Sequence, residues 1–270
     1  MPIDFHAERN RTSYASRDVS PDWAETIRTL IDPDGLDVAD IGCGGGLYAA
    51  EWKRLGAATV VGVDFSAQML GAARERHRGF SGIRFVEGDA GATGLPGASV
   101  DVVFSRALIH HLGDRDACFR EARRLLRPHG LVILQNRTPE DVALPGAPDH
   151  LRGYFFERCP RLLAIEGARR PRAETVVAGL RAAGFGGVRS RSAWETRQVH
   201  AGFAALAADL RGRTGRSILH ALSDAELEDL IGFIGTRLSG EGPLTERDRW
   251  TLWWGRADSE AADPAGLTLA

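Results

Sequence analysis

The sequence predicts an α/β fold: a doubly wound, mostly parallel sheet with helices on both faces and a helical lid inserted near its carboxyl end. Three observations carry this. From residue 38 to residue 135, apolar runs of strand length alternate with stretches of helical spacing, and strands separated by helices join by right-handed crossovers into a parallel sheet. The first run, Val38–Ile41, opens directly into Gly42-Cys43-Gly44-Gly45-Gly46 and then helical text, a strand, turn and helix of the kind that begins a doubly wound unit. The chain of 270 residues is 43% hydrophobic, enough for one elaborated domain with a sizeable core.

Residues 1–35 read as an N-terminal arm, polar with aromatic punctuation at Tyr14 and Trp23, carrying a helix over Asp22–Leu30 on the spacing of Trp23, Ile27 and Leu30. Residues 36–200 form the core. Its strands are predicted at Val38–Ile41, Thr59–Val63, Ile83–Val86, Val100–Phe104 and Leu131–Gln135, and its helices at Leu47–Leu55, Ser66–His77 and Arg115–Leu126. Pro139, Pro145 and Pro148 then mark a loop, ahead of the aromatic run Tyr154-Phe155-Phe156. A helix over Ala173–Ala183, stopped by Gly184, restores the α/β pattern. Val188–Val199 is a strand whose end, Trp194-Glu195-Thr196-Arg197, runs into the lid. Residues 201–249 make that lid, with Ser223-Asp224-Ala225-Glu226 as a capping box opening an amphipathic helix to Leu238. Residues 250–256 supply the last core strand, with Trp250, Trp253 and Trp254 as core, and 257–270 a disordered tail.

Composition removes several function classes. The 34 basic residues are 33 arginines and the single Lys53, which follows Trp52, so no Gly-Lys phosphate loop exists. Lys53 falls within a predicted helix, a poor place for a Schiff base. Arginine in such excess over lysine, beside many alanines and glycines, reflects base composition and is not itself a functional signal. A formal charge of -2 gives no general reason to bind nucleic acid or an anionic membrane. Three widely spaced cysteines, Cys43, Cys118 and Cys159, form neither a Cys-x-x-Cys pair nor a disulfide framework, which fits a reducing compartment. The amino end shows no basic and apolar leader, and no run reaches about 18 apolar residues. The expectation is a cytoplasmic protein, a monomer or homodimer, with a small-molecule partner. His110 and His111 are adjacent rather than four apart, and no Cys/His cluster exists, so no metal is expected.

The chemistry concentrates at strand ends. The alternating glycines after Asp40-Ile41 let a ligand approach backbone at the carboxyl edge of the sheet. Counting Gly-x-Gly-x-x-Gly from Gly42, the third glycine is replaced by Leu47, which disfavours a nicotinamide dinucleotide. Val60-Val61-Gly62-Val63 ends in Asp64, 22 positions after Gly42, a separation at which an acid can accept both ribose hydroxyls of a nucleoside. Arg84-Phe85-Val86-Glu87-Gly88-Asp89-Ala90 gives a third strand ending in an acid.

Together Asp-x-Gly-x-Gly-x-Gly, Val-Asp-Phe-Ser and Glu-Gly-Asp-Ala resemble motifs I to III of class I S-adenosylmethionine-dependent methyltransferases, most closely the broad ubiquinone-biosynthesis-like small-molecule group. The likeness continues through Leu95-Pro96, Ser99–Val103, Ala107-Leu108-Ile109-His110-His111-Leu112 and Leu125-Leu126-Arg127-Pro128-His129-Gly130, so it covers roughly residues 36–137. His129-Gly130 departs from the usual Gly-Gly. The resemblance implies a seven-stranded Rossmann-like sheet and S-adenosyl-L-methionine as cofactor. Gly42, Gly44 and Gly46 would line its methionine part, with Asp40 and Cys43 in the same motif and Arg106 ending the fourth strand. Asp64 would hold the ribose, Phe65 and Met69 flank the adenine, and Asp89 take its amino group beside Ala90.

Plainer readings stand beside these. Asp64 and Asp89 could cap strand ends, Met69 could be helix core, and Cys43 a small buried thiol. His110 and His111, in the loop that faces the methyl group in that family, could supply a general base or only shape the pocket. Arg106 could bind a substrate carboxylate or pair with a neighbouring acid. Tyr14 could meet the sulfonium as a cation–π partner, or pack the arm. Arg17 and Arg152 could meet an anionic acceptor, with Tyr154 and Asn136 around it. The leading expectation is methyl transfer to a small organic acceptor. The alternatives are cyclisation of the cofactor's aminobutyryl chain with release of methylthioadenosine, and a non-catalytic nucleoside-binding protein.

Overall fold

The computed structural model describes residues 19–257, apart from 214 and 239–241. The chain runs α1 (Pro21–Arg28), β1 (Asp37–Ile41), α2 (Leu47–Arg54), β2 (Thr59–Asp64), α3 (Ala67–Arg76), β3 (Ile83–Glu87), β4 (Val100–Arg106), α4 (Arg115–Leu125) and β5 (Leu126–Asn136). It continues with α5 (Pro139–Val142), α6 (Leu151–Arg158), α7 (Pro160–Arg169), α8 (Ala173–Ala182), β6 (Phe185–His200), α9 (Phe203–Arg211), a 3-10 turn (Ser217–Ala221), α10 (Asp224–Arg237) and β7 (Leu244–Ala257). The seven strands form one sheet in the order β3-β2-β1-β4-β5-β7-β6. β1 to β5 are parallel, and β7 runs antiparallel to both its neighbours.

The order reverses between β1 and β4, and such a switch point leaves a crevice at the carboxyl ends of the strands. Both faces of the parallel strands are covered, which is why β1 and β2 are nearly continuous apolar runs rather than alternating ones. On one face Leu125, Val176 and Leu180 pack against Val103, Val132 and Trp253. On the other, Trp23 of α1 meets Tyr48, Trp52 and Phe104 edge-on at 5.0–5.7 Å between ring centroids. Trp23 also donates its indole N–H to Gln135 Oε1 at 3.1 Å, so the arm helix is docked on the strand ends. Helix starts are capped locally: the Ser20, Ser66 and Asp114 side chains accept from the backbone N–H of Asp22, Met69 and Ala117.

The structure departs from the sequence reading after β5. Pro139 and Pro160 open α5 and α7, because proline at the first helical position loses no hydrogen bond there. The predicted loop is helical only at α5; Pro145 and Pro148 stand in irregular backbone, and the aromatic run beyond them forms α6. Leu151, Phe155 and Leu162 of this stretch share one buried cluster with Leu206, Leu210, Leu230 and Ile234 from beyond β6. The helical cap is thus assembled from two separated segments, not from the insertion at 201–249 alone. β7 also begins at Leu244, well before the expected Trp250, and its first half pairs with β6 past the end of β5, from Glu195 opposite Asp248 to His200 opposite Leu244. Charged residues hid this overhang, since a local reading sends them to the surface. Tyr14, Arg17 and the tail at 258–270 lie outside the described residues. Among the described residues no helix is long and apolar enough to cross a membrane.

Candidate active site

A cavity of about 650 Å³ opens at the carboxyl ends of β1, β2, β4 and β5 and runs under the cap. Its first wall is the glycine turn. Gly42 and Cys43 donate their N–H groups to Val63 O at 2.7 and 3.0 Å, tying the turn to β2. Gly44, at φ +51°, donates to Asp64 Oδ2 at 2.8 Å, while Asp64 Oδ1 accepts from Ser66 N at 2.9 Å. Asp64 therefore holds the turn and the start of α3 together, and it also faces the cavity. Phe65, 48% exposed, Met69, Asp89 and Ala90 line the same wall. Asp89 Oδ1 accepts from Gly91 N at 2.8 Å, the strand-end cap that the plainer reading foresaw.

Two residues of the glycine motif lie elsewhere. Gly46 is left-handed at φ +77°, but a Cβ there would meet Phe85 at 2.6 Å and His77 at 3.0 Å, so its bareness serves packing under the turn and not the cavity wall. Asp40 is buried beneath the turn, off the cavity surface; burial first, and then Asp64, push its carboxyl up to about 7, and its Oδ2 has no hydrogen-bond partner among the described residues. Cys43 reaches the cavity, but burial and the two acids raise its thiol well above the usual range, which makes it inert as a nucleophile. The wall fits a nucleoside bearing a sulfonium: a bare backbone at Gly44, a carboxylate at Asp64 and an exposed ring at Phe65.

The second wall descends from β4 and β5. Ala107, forced to φ +53° and tied to Gln135 O at 2.8 Å, turns the chain sharply after β4 and delivers His110 and His111 to the cavity. Their rings lie 3.9 Å apart. His110 Nδ1 is 2.8 Å from Asn136 Oδ1, and Asn136 Nδ2 donates to Arg137 O at 3.0 Å. Burial, and then Arg170, hold the His110 imidazole well below its ordinary value, and burial and Arg169 push His111 down to about 4. Asn136 is fully buried and positions His110 without lining the cavity, and Tyr154 is packed in the cap beside Phe233. Neither stands where the acceptor assignment placed it.

Arg106 and Arg152 do reach the cavity, each already paired. Arg106 grips Glu195 with both Nη atoms at 3.2 and 2.8 Å, and its guanidinium stands 3.9 Å from the Trp250 ring centroid and 4.6 Å from that of Tyr48. Glu195 also accepts from Gln135, the partner of Trp23, so a chain of hydrogen bonds links α1 to this wall. Arg152 donates to Asp248 at 2.9 Å. Sequence reasoning missed Arg137, Glu166, Arg170, Arg216 and Asp248, and placed Trp250 in the core, though all six line the cavity. Arg137 alone carried a usable signal, its place at the carboxyl end of β5. In the cap, His200, Asp209 and Glu246 bring possible metal-ligand atoms within 4.8 Å of one another. Arg216 already neutralises both carboxylates and Arg197 stands 3.2 Å from Glu246, so a cation's place there is taken by guanidinium.

Residues 39–134 match a family model described as a methyltransferase domain. The chain is 32% identical over 138 residues to a ubiquinone biosynthesis O-methyltransferase of Cereibacter sphaeroides, covering 50% of this chain and 55% of that one. It is 36% identical over the same shares to the enzyme of that name from Sinorhizobium medicae. It thus spans about half the length of the curated relatives it matches. A phosphoethanolamine N-methyltransferase 2 of Haemonchus contortus, solved with S-adenosyl-L-methionine, superposes with a TM-score of 0.60 at 19% identity, over 95% of this chain and 60% of that one. At that identity the likeness is one of fold.

Proposed function

We propose that this chain, whose residues 39–134 match a methyltransferase domain, is a class I S-adenosylmethionine-dependent methyltransferase that transfers the sulfonium methyl group to a small organic acceptor held beneath the helical cap. One observation carries the reading: the turn of Gly42 and Gly44, the acids Asp64 and Asp89, and the histidine pair all open into one cavity. Bound S-adenosyl-L-methionine supplies an activated methyl, so the protein's work is positioning, exclusion of water and handling of one proton.

On this reading Asp64 accepts ribose hydroxyls while it keeps the turn closed, and Phe65 and Met69 flank the base; all three line the cavity. Asn136 sets the proton of His110. Because its Nδ2 is committed to Arg137 O, its Oδ1 faces His110, which must then carry hydrogen on Nδ1 and leave Nε2 as the basic nitrogen. Burial first, and then Arg170, hold the ring neutral. A neutral imidazole of fixed tautomer can take a proton from an acceptor hydroxyl, amine or thiol.

Cyclisation of the cofactor's side chain draws no support from Asn136 or Tyr154. Asn136 is occupied with His110, and Tyr154 lies in the cap. A purely binding role finds no favouring observation. We place the reaction in the cytoplasm, in keeping with three free thiols, and on a chain acting as monomer or homodimer, with no nucleic acid as acceptor. The deciding experiment incubates the protein with S-adenosylmethionine and a metabolite extract and reads the products by mass spectrometry. S-adenosylhomocysteine with a methylated product is expected; methylthioadenosine, or no turnover, would replace the reading.

A further inference from the structure

Beneath the cap the cavity wall carries more guanidinium than carboxylate. Asp248 accepts from both Arg137 and Arg152. Glu166 is shared by Arg169 and Arg170, and Glu246 by Arg197 and Arg216, with Asp209 a second partner of Arg216. Glu195 takes Arg106. Seven guanidiniums therefore meet five carboxylates in or directly behind this wall. Lining histidines that are held neutral add nothing to either side, and a sulfonium in the same cavity would add one more positive charge.

The excess is sharpest at Arg137. It is only 7% exposed and lines the cavity. A guanidinium has five N–H donors, yet among the described residues the hydrogen bond of Arg137 is a single one, from Nη2 to the carboxylate it shares with Arg152. Among the described residues its Nε is buried without a partner, and its central carbon stands 4.0 Å from the Trp250 ring centroid. Burial and then Arg152 hold its proton far less tightly than usual, with Arg170 adding to the effect. A buried cation that has only a shared carboxylate for a partner is costly, and guanidinium forks bind carboxylate and phosphate in two-pronged fashion.

We propose that Arg137, with Arg152 and Arg170 beside it, forms an oxyanion subsite that holds a carboxylate or phosphate group of the methyl acceptor. This deepens the methyl-transfer reading and rests on it. An anion there supplies Arg137 with a second anionic partner, and anchors the acceptor beneath the cap with its nucleophile toward His110.

The test uses the full chain with S-adenosylhomocysteine at saturation and constant ionic strength in chloride. Benzoate, phenyl phosphate and the neutral benzamide are compared by thermal denaturation and calorimetry, the first two distinguishing a carboxylate from a phosphate site. At least one anion should raise the melting temperature while benzamide does not. Arg137→Met, which keeps the aliphatic stem, should weaken that anion about tenfold or more and leave S-adenosylhomocysteine affinity unchanged. If Arg137→Met does not fold, Arg137→Lys, which keeps the charge and loses the fork, should weaken the anion several-fold. The proposal is overturned if neither anion stabilises the wild type beyond chloride, if benzamide does as well, or if the variant that folds binds the anion as the wild type does. Loss of S-adenosylhomocysteine affinity in that variant would also overturn it, because Arg137 would then serve the cofactor's own carboxylate. Failure of the wild type to bind S-adenosylhomocysteine would instead strike the methyl-transfer reading, and the anion comparison would still be readable without it.

Discussion

Asn136 Oδ1 lies 2.8 Å from His110 Nδ1, at the junction of β5 and the loop after β4. That contact makes the tautomer of His110 a property of the fold. His110→Ala should lower kcat by about 10²–10⁴, the range for a positioned proton acceptor. Asn136→Ala should lower kcat less, with little change in KM, because it frees the ring without removing it. Steady-state kinetics on both variants decide this; full activity in His110→Ala would leave proximity as the sole source of rate.

The pH profile should carry the same signature. A base that is held well below its ordinary value loses activity only when the pH falls through that lowered value, so the acid limb of kcat/KM should lie clearly below the usual imidazole range near 6.5. A limb at about 6.5 in the wild type would show that His110 is not the titrating group.

Acid should also loosen the fold. His110 and His111 are both depressed relative to the unfolded chain, so below about 6.5 the unfolded state binds protons that the native state does not. The stabilising contribution is complete above about 6.5 and is lost as the pH falls, for His111 through about 4. Urea midpoints measured from pH 7 to 4 should fall less steeply in His111→Gln than in the wild type.

Asp64→Ala should weaken S-adenosylhomocysteine binding by about 1.5–3 kcal/mol, the value of a hydrogen bond to a charged group. Calorimetric affinity unchanged by this substitution would remove Asp64 from the ribose. Since Asp64 also accepts from Gly44 and Ser66, a modest loss of thermal stability should accompany the effect.

Two of the left-handed glycines of the turn, Gly44 and Gly46, should separate folding from binding. Gly46→Ala adds a collision with Phe85 to a strained backbone, so its stability should fall by at least the ~1–3 kcal/mol typical of such strain. Gly44→Ala meets only the mobile end of Met69 at 3.3 Å and should cost less stability while weakening cofactor binding more. Equal stability losses in the two variants, measured by chemical denaturation, would contradict this division.

The cap depends on Arg216, whose side chain is wholly buried between Asp209 and Glu246. Arg216→Met should cost about 3–5 kcal/mol in urea unfolding, because it leaves Asp209 without its cation and Glu246 with Arg197 alone. A loss below about 1 kcal/mol, the range of exposed pairs, would show that the network is open to solvent.

By itself the sequence determined the sheet through β5, the turn of Gly42 to Gly46, and the acids at the ends of β2 and β3. These features are written locally: apolar runs of strand length, glycine where the chain turns left-handed, and capping side chains one turn from the N–H groups they satisfy. The tertiary structure alone decided the wall beneath the cap. Arg137 meets Asp248 across 111 positions, Arg106 meets Glu195 across 89, and Arg152 meets Asp248 across 96. A charged side chain read in isolation belongs to solvent, and only a partner brought from far along the chain makes its burial tolerable. The same holds for the cap, where α6 and α10 bury their apolar faces in one cluster that also takes in α7 and α9. Asn136 and Gly46 show the principle in small: one serves His110 and the other makes room for Phe85, neighbours that no local pattern of residues names.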